Sequence, residues 1–270
     1  MGFEINDAEF KRFSGLIYDI AGISLSDAKK VLLTGRLSKR LTALDMSSFT
    51  QYFKYVTDGQ NADELQRMVD LLTTNETYFF REPQHFDFLK QIIPVASQLA
   101  QPFRVWSAAA STGAEAYTIA LVLADKLGMD GPWEILGTDI SNTVLEKARS
   151  GHYRIAEAEK IPPEYLKKYC LKGKGEQAGT FVIDKRLRQH VTFEPLNLNV
   201  EGMKKVGEFD VIFLRNVLIY FDIPTKQRVV KNVMLNLKRG GHLIVGHSET
   251  LNGIVDNLQQ VKPTVYKRQS

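Results

Sequence analysis

Phe103-Arg104-Val105-Trp106-Ser107-Ala108-Ala109-Ala110-Ser111-Thr112-Gly113-Ala114-Glu115 is the stretch that decides the fold. A run with the length and apolar texture of a strand leads straight into small residues that open a helix, where backbone approaches a ligand closely and amides point outward. The same alternation recurs downstream. Phe103–Ala109, Glu134–Ile140, Val191–Leu196, Phe209–Leu214 and Leu243–Gly246 read as strands, with helices predicted at roughly 114–127, 142–149 and 224–238, the last ended by Gly240-Gly241. Strands alternating with amphipathic helices imply a mostly parallel sheet covered on both faces, an α/β doubly wound architecture.

Toward the N-terminus the texture is helical only. Phe10, Phe13, Leu16, Ile17 and Ile20 fall at helical spacing before Gly22, and Ser26 is placed to cap a second helix. In that helix Leu33, Leu37, Leu41 and Leu44 share one arc, and Lys29, Arg36, Lys39 and Arg40 occupy the arc beside it. Ser47 is placed to cap a third helix stopped by Asp58-Gly59, and Asn61 with Glu64 resembles a capping box for a fourth. Residues 1–70 therefore read as a small all-α domain and 71–270 as the α/β domain. Residues 151–190 break the alternation with Pro162-Pro163, a helical Tyr165–Cys170, Gly173-Lys174-Gly175 and Thr180–Ile183, an inserted subdomain with a hairpin.

Composition bounds the class. The 270 residues, 44% hydrophobic and 24% charged, sit in the globular range. Cys170 is the single cysteine, which fits a reducing compartment. The start Met1-Gly2-Phe3-Glu4 carries no apolar leader and no stretch spans a bilayer, so a cytoplasmic protein without membrane insertion is expected. A net charge of +4 points weakly to an acidic partner and not to nucleic acid.

In doubly wound sheets ligands sit at the carboxyl ends of the strands. Gly137-Thr138-Asp139-Ile140 places a carboxylate there, suited to accept from both hydroxyls of a ribose; the alternative is that Asp139 caps the next helix. Asn197-Leu198 and Arg215-Asn216, with Tyr220-Phe221 beyond, put polar groups between apolar walls, as an adenine pocket requires. Leu72–Glu82 joins the two parts, and its Asn75, Thr77 and Arg81 interleave with aromatics in a way a plain linker does not need.

Taken together, Thr73–Glu82, Trp106–Ala120, Gly137–Ile140, Asn197-Leu198, Phe209–Asp222 and Gly246-His247-Ser248-Glu249 resemble the chemoreceptor glutamate methyltransferases, the CheR family, over nearly the whole chain. The resemblance implies a Rossmann-like methyltransferase sheet and a reaction that moves a methyl group from S-adenosyl-L-methionine to receptor glutamates, leaving S-adenosyl-L-homocysteine. It implies that Asn75, Thr77, Arg81, Glu115, Asp139, Asn197, Leu198, Arg215 and Asn216 surround the cofactor, with Arg81 and Tyr220 nearest the methyl group. The first loop departs from the family's usual Gly-Glu-Glu-Pro-Tyr, reading Gly113-Ala114-Glu115-Ala116-Tyr117. The implied partner is a chemoreceptor cytoplasmic domain with acidic methylation helices, docked by the basic arc of Lys29, Arg36, Lys39 and Arg40. Gly173 and Gly175 resemble the Gly-x-Gly element by which some members tether a receptor C-terminal peptide, with strand addition as the expected mode. A glutamate of ordinary pKa, about 4.3, is already ionised at neutral pH, so the chemistry needs no general base, metal or thiol. A monomer is expected. The rivals are a cofactor-binding sensor and a methyltransferase for another substrate; Arg81 and Tyr220 favour an enzyme.

Overall fold

A computed structural model describes residues 3–269 of the chain. Met1, Gly2 and Ser270 lie outside the described residues, and with them the start of the N-terminal stretch read above.

Four helices come first: α1 Asp7–Ala21, α2 Lys30–Ala43, α3 Phe49–Thr57 and α4 Ala62–Leu72. Asn6 and Glu9 form a reciprocal capping box at the start of α1, and Gly22 ends it in the left-handed region at φ +73. A side chain at Gly22 would also strike Thr225 at 2.5 Å, so the helix end lies tight against the α/β part. The other expected caps are corrected. Ser26 precedes a 3-10 turn without a side-chain bond. Ser48, not Ser47, caps α3 by accepting from the Gln51 N–H at 3.2 Å. Asn61 makes no capping bond to α4; its amide turns back to the Tyr55 carbonyl and to Asp58, while Glu64 is taken by Arg40 and Tyr52.

After α5 Gln84–Ile92 the sheet begins: β1 Phe103–Ser107, α6 Ala114–Leu127, β2 Trp133–Asp139 and α7 Asn142–Ser150. Next come β3 His152–Arg154, α8 Pro163–Tyr169, β4 Cys170–Lys172, β5 Thr180–Ile183, α9 Lys185–Arg188 and β6 Val191–Pro195. The chain closes with β7 Phe209–Leu214, α10 Ile223–Met234, β8 Leu237–Val245, β9 Leu258–Lys262 and β10 Val265–Arg268. The large sheet runs β6-β2-β1-β7-β8-β10-β9, parallel from β6 to β8 and antiparallel beyond.

Side chains alternate between the two faces with the period of a strand. Val105, Val211, Phe213 and Ile244 face the layer of α5 and α6, whereas Trp106, Ile212, Leu214 and Val245 face the N-terminal helices and α10. Strand order reverses between β1 and β7, which opens a crevice at their carboxyl ends. Residues 151–190 carry a separate sheet in the order β3-β5-β4.

The last helix and last parallel strand differ from expectation. The helix stops at Met234, and Gly240-Gly241 lie within β8, where the pairing jumps from Phe209↔Leu237 to Val211↔His242. Glycines at a bulge terminate no helix; they let the strand absorb extra residues. The sequence reading did not include the β9–β10 hairpin or α5, whose Phe86, Phe88 and Leu89 are buried.

Candidate active site

A crevice opens at the strand ends, walled by both apolar and polar side chains. Asn75, Thr77, Arg81, Glu115, Asp139, Asn197, Leu198, Arg215, Asn216 and Tyr220 all line it. They arrive from separate elements: the connector between α4 and α5, the N-terminus of α6, the end of β2, the turn after β6 and the loop after β7. Ala21 and Ile23, at the end of α1, close the cleft from the N-terminal side.

The deep wall is electrostatic. Arg215 donates from Nη1 to Glu115 Oε2 at 2.7 Å, and from Nη2 to the Arg81 carbonyl at 2.5 Å and Glu82 Oε2 at 3.0 Å. The other Glu115 oxygen accepts from Ser107 Oγ at 2.7 Å. Glu115 thus shapes the wall by holding Arg215, with both carboxylate oxygens engaged. Burial alone would raise the Glu82 pKa, but the Arg215 guanidinium, the Asn216 amide and the His247 N–H overcome it and hold the carboxyl below its ordinary range.

Asp139 is buried, and burial pushes its pKa up against the opposing N–H groups of Ser141 and Ser111. Its oxygens accept from Ser111 N–H at 2.9 Å and Ser141 N–H at 3.0 Å. A carboxylate offers about four acceptor sites, so two lone pairs stay free for hydroxyls in the cleft. The capping alternative is corrected, because Asp70 of α4 does that work: it accepts from the N–H groups of Asn142 and Thr143, each at 3.1 Å. Asn197 donates to the Ile20 carbonyl at 2.6 Å, tying the turn after β6 to α1.

Arg81 donates to the Glu76 carbonyl at 2.8 Å and lies over the Tyr78 ring at 5.7 Å. Among the described residues Arg81 forms no salt bridge to Glu76 or Glu82. The guanidinium is half-buried on the cleft wall. Tyr220 lines the same cleft, in the 3-10 turn Leu218–Tyr220.

The basic arc divides. Lys29 and Lys39 are exposed. Arg36 donates to the Leu72 and Thr73 carbonyls at 3.1 and 2.9 Å, and Arg40 forms a forked pair with Glu64 at 2.7 and 2.8 Å. Arg36 therefore fastens α2 to the end of α4 and the connector, and Arg40 ties α2 to α4 within the bundle, a correction to the arc as a uniform surface. Gly173 and Gly175 lie in the turn between β4 and β5.

Sequence reasoning passed over Ala21 and Ile23, whose apolar character reads as core, and gave no role to Glu82 and Glu249 although both stand in quoted motifs. Glu82, His85 and His247 place ligand-type atoms within 4.8 Å of one another. Arg215, Asn216 and the His247 N–H already occupy the Glu82 oxygens, so the cluster acts as a hydrogen-bond node. Burial holds the His85 ring neutral, with its pKa lowered to about 4.

Two family models match. CheR methyltransferase, all-alpha domain, covers residues 8–73, and CheR methyltransferase, SAM binding domain, covers residues 75–267. The chain is 41% identical over 263 residues to the chemotaxis protein methyltransferase of Salmonella typhimurium, covering 97% of this chain and 90% of that one. It is likewise 41% identical to the chemotaxis protein methyltransferase of Escherichia coli, over 97% of this chain and 91% of that one. Chemotaxis protein methyltransferase 2 of Pseudomonas aeruginosa is 39% identical, over 98% and 94%. With both domain models matched in order around the cleft that Asp139, Asn197 and Arg81 share, the chain belongs to the CheR family of S-adenosylmethionine-binding methyltransferases.

Proposed function

We propose that this protein transfers the methyl group of S-adenosylmethionine to glutamate side chains of chemoreceptor cytoplasmic helices, as a protein-glutamate O-methyltransferase of the cytoplasm. The observation that carries the reading is the convergence of Asp139, Asn197 and Arg81, from three distant parts of the chain, on one cleft.

The residues present fit the cofactor. Asp139 offers free lone pairs for vicinal hydroxyls, Ile140, Leu198 and Val217 offer apolar walls for a flat ring, and Ala108-Ala109 offer backbone without bulk. When bound, the group supplies a methyl carbon activated by positively charged sulfur. The chain's own part is positioning. Arg81 orients the incoming carboxylate by charge-assisted hydrogen bonds, and Tyr220 contributes a hydroxyl to the same cleft. Opposite charges meet and cancel in such a transfer, so a cleft that excludes water favours it, and Ala21 and Ile23 help cover it.

Residues 1–70 are proposed as the receptor-docking domain of a methyltransferase spanning 71–270. Exposed Lys29 and Lys39 suit an acidic helix. The edge strand β4, next to Gly173 and Gly175, suits an added strand from a receptor C-terminal peptide. The test is direct: tritium from methyl-labelled cofactor should enter receptor membranes as base-labile methyl ester. Label that stays in alkali-stable protein, or in no protein, removes the proposal.

A further inference from the structure

We propose that Glu249 is a positioning residue of this site: its buried carboxylate sets the backbone of the Asn216–Tyr220 loop and thereby holds Asn216 and Tyr220 on the cleft wall. The proposal rests on the methyl-transfer reading above.

Glu249 is 7% exposed, and its charge is received by backbone amides. Oε2 accepts from Gly246 N–H at 2.6 Å and Asn216 N–H at 2.8 Å, while Oε1 accepts from Ile219 N–H at 3.3 Å. One carboxylate therefore joins the end of β8 to both ends of the turn that follows β7. Amides so gathered around a buried anion lose their partner together if the anion goes, and each orphaned donor then carries a desolvation cost.

Asn216 is gripped at both ends. Its φ is +56, in the left-handed region that asparagine tolerates better than most residues with a side chain. Glu249 takes its backbone N–H, and Glu82 Oε1 takes its side-chain Nδ2 at 3.1 Å. Gly246 makes the approach possible: a Cβ there would lie 2.5 Å from Asn216 Nδ2 and 2.9 Å from Glu249 Oε2. The segment Gly246-His247-Ser248-Glu249 thus has a physical role although only Glu249 and Gly246 touch the loop: glycine for proximity, carboxylate for grip. Tyr220 lies one residue beyond the gripped Ile219 N–H, and its own N–H closes the same turn on the Val217 carbonyl at 3.2 Å, so its backbone is placed by the turn that Glu249 holds.

The test uses the full-length protein with Glu249→Gln, Tyr220→Phe and the pair combined. Turnover on receptor membranes is measured alongside calorimetric binding of S-adenosylhomocysteine. Replacing one oxygen by NH2 turns a donor toward the amides, so kcat should fall about tenfold and product affinity about fivefold, with the receptor KM within about twofold. Because Glu249 acts in part through Tyr220, the combined variant should lose less than the product of the two single losses. Gly246→Ala, which forces the same contact apart with the carboxylate intact, should reproduce the kcat loss. Unchanged turnover and product affinity in Glu249→Gln, or fully multiplicative losses in the pair, overturn the proposal. A wild-type protein that methylates no receptor overturns the substrate reading instead, and calorimetry then decides on Glu249, since unchanged product affinity in Glu249→Gln still refutes it.

Discussion

Arg215 and Glu115 form a buried ion pair, Nη1 to Oε2 at 2.7 Å, that joins the loop after β7 to the first turn of α6. Both side chains are nearly inaccessible, at 1% and 11% of their free exposure. Removing Glu115 leaves Arg215 its Glu82 and Arg81-carbonyl partners but strips Nη1 of its acceptor in a dry site, a loss of about 1–3 kcal/mol. Glu115→Ala should therefore lower Tm by roughly 5 °C, and calorimetry should find cofactor-product binding weakened through displaced Arg215. A Tm within a degree of wild type would show that the pair carries no weight.

Arg81 and the deep wall should separate in kinetics. Among the described residues the Arg81 side chain bonds the Glu76 carbonyl and lies over the Tyr78 ring, with no ion pair to lose. Arg81→Ala should thus leave the fold intact and retain substantial S-adenosylhomocysteine binding while methyl transfer falls by about a hundredfold or more, the scale of a lost transition-state contact. Normal turnover in this variant takes Arg81 out of the mechanism.

The two kinds of basic residue on α2 and its approach should respond differently. Reversing exposed Lys29 and Lys39 to Glu should raise the receptor KM several-fold at low salt, with the effect fading as screening lengths shorten to about 8 Å at physiological ionic strength. Arg40→Ala should instead destabilise, by about 1–3 kcal/mol, because the buried Glu64 carboxylate loses its forked cation and keeps only the Tyr52 hydroxyl among these partners. Denaturation and receptor titration on the same variants tell the two apart.

Asp70 caps a helix of the other half of the molecule. Its carboxylate takes two N–H groups at the start of α7 and the Thr143 hydroxyl at 2.6 Å. Asp70→Ala should cost about 1 kcal/mol of stability in urea denaturation, as lost caps do. Cofactor-product affinity should drop as well, because the same turn carries Ser141 and Asp139.

His85 sets part of the acid sensitivity. Burial and the Arg215 charge lower its pKa to about 4 in the fold, against an ordinary 6.5. Between those values the unfolded chain binds the extra proton, so stability falls as pH drops through that window, by up to about 3 kcal/mol for this group. His85→Gln should flatten that limb in melts recorded from pH 7 to pH 4; an unchanged slope would assign it to other groups.

The order of strands and helices was legible in the chain because burial on both faces of a parallel sheet demands apolar runs at strand length, and β7 spans the residues its sequence indicated. The site list was legible for a related reason: in this topology the residues just after each strand face the crevice, wherever the sheet finally twists. Caps and ends were less so, since Ser47 and Ser48 offer the same hydroxyl one residue apart, and only the backbone direction chooses. What the tertiary structure alone decided is partnership. Glu115 and Arg215 stand 100 residues apart, Arg40 and Glu64 lie on different helices, and Asp70 caps a helix more than seventy residues away. A charge in a sequence is free to meet solvent, ligand or another charge, and desolvation in the packed fold selects which.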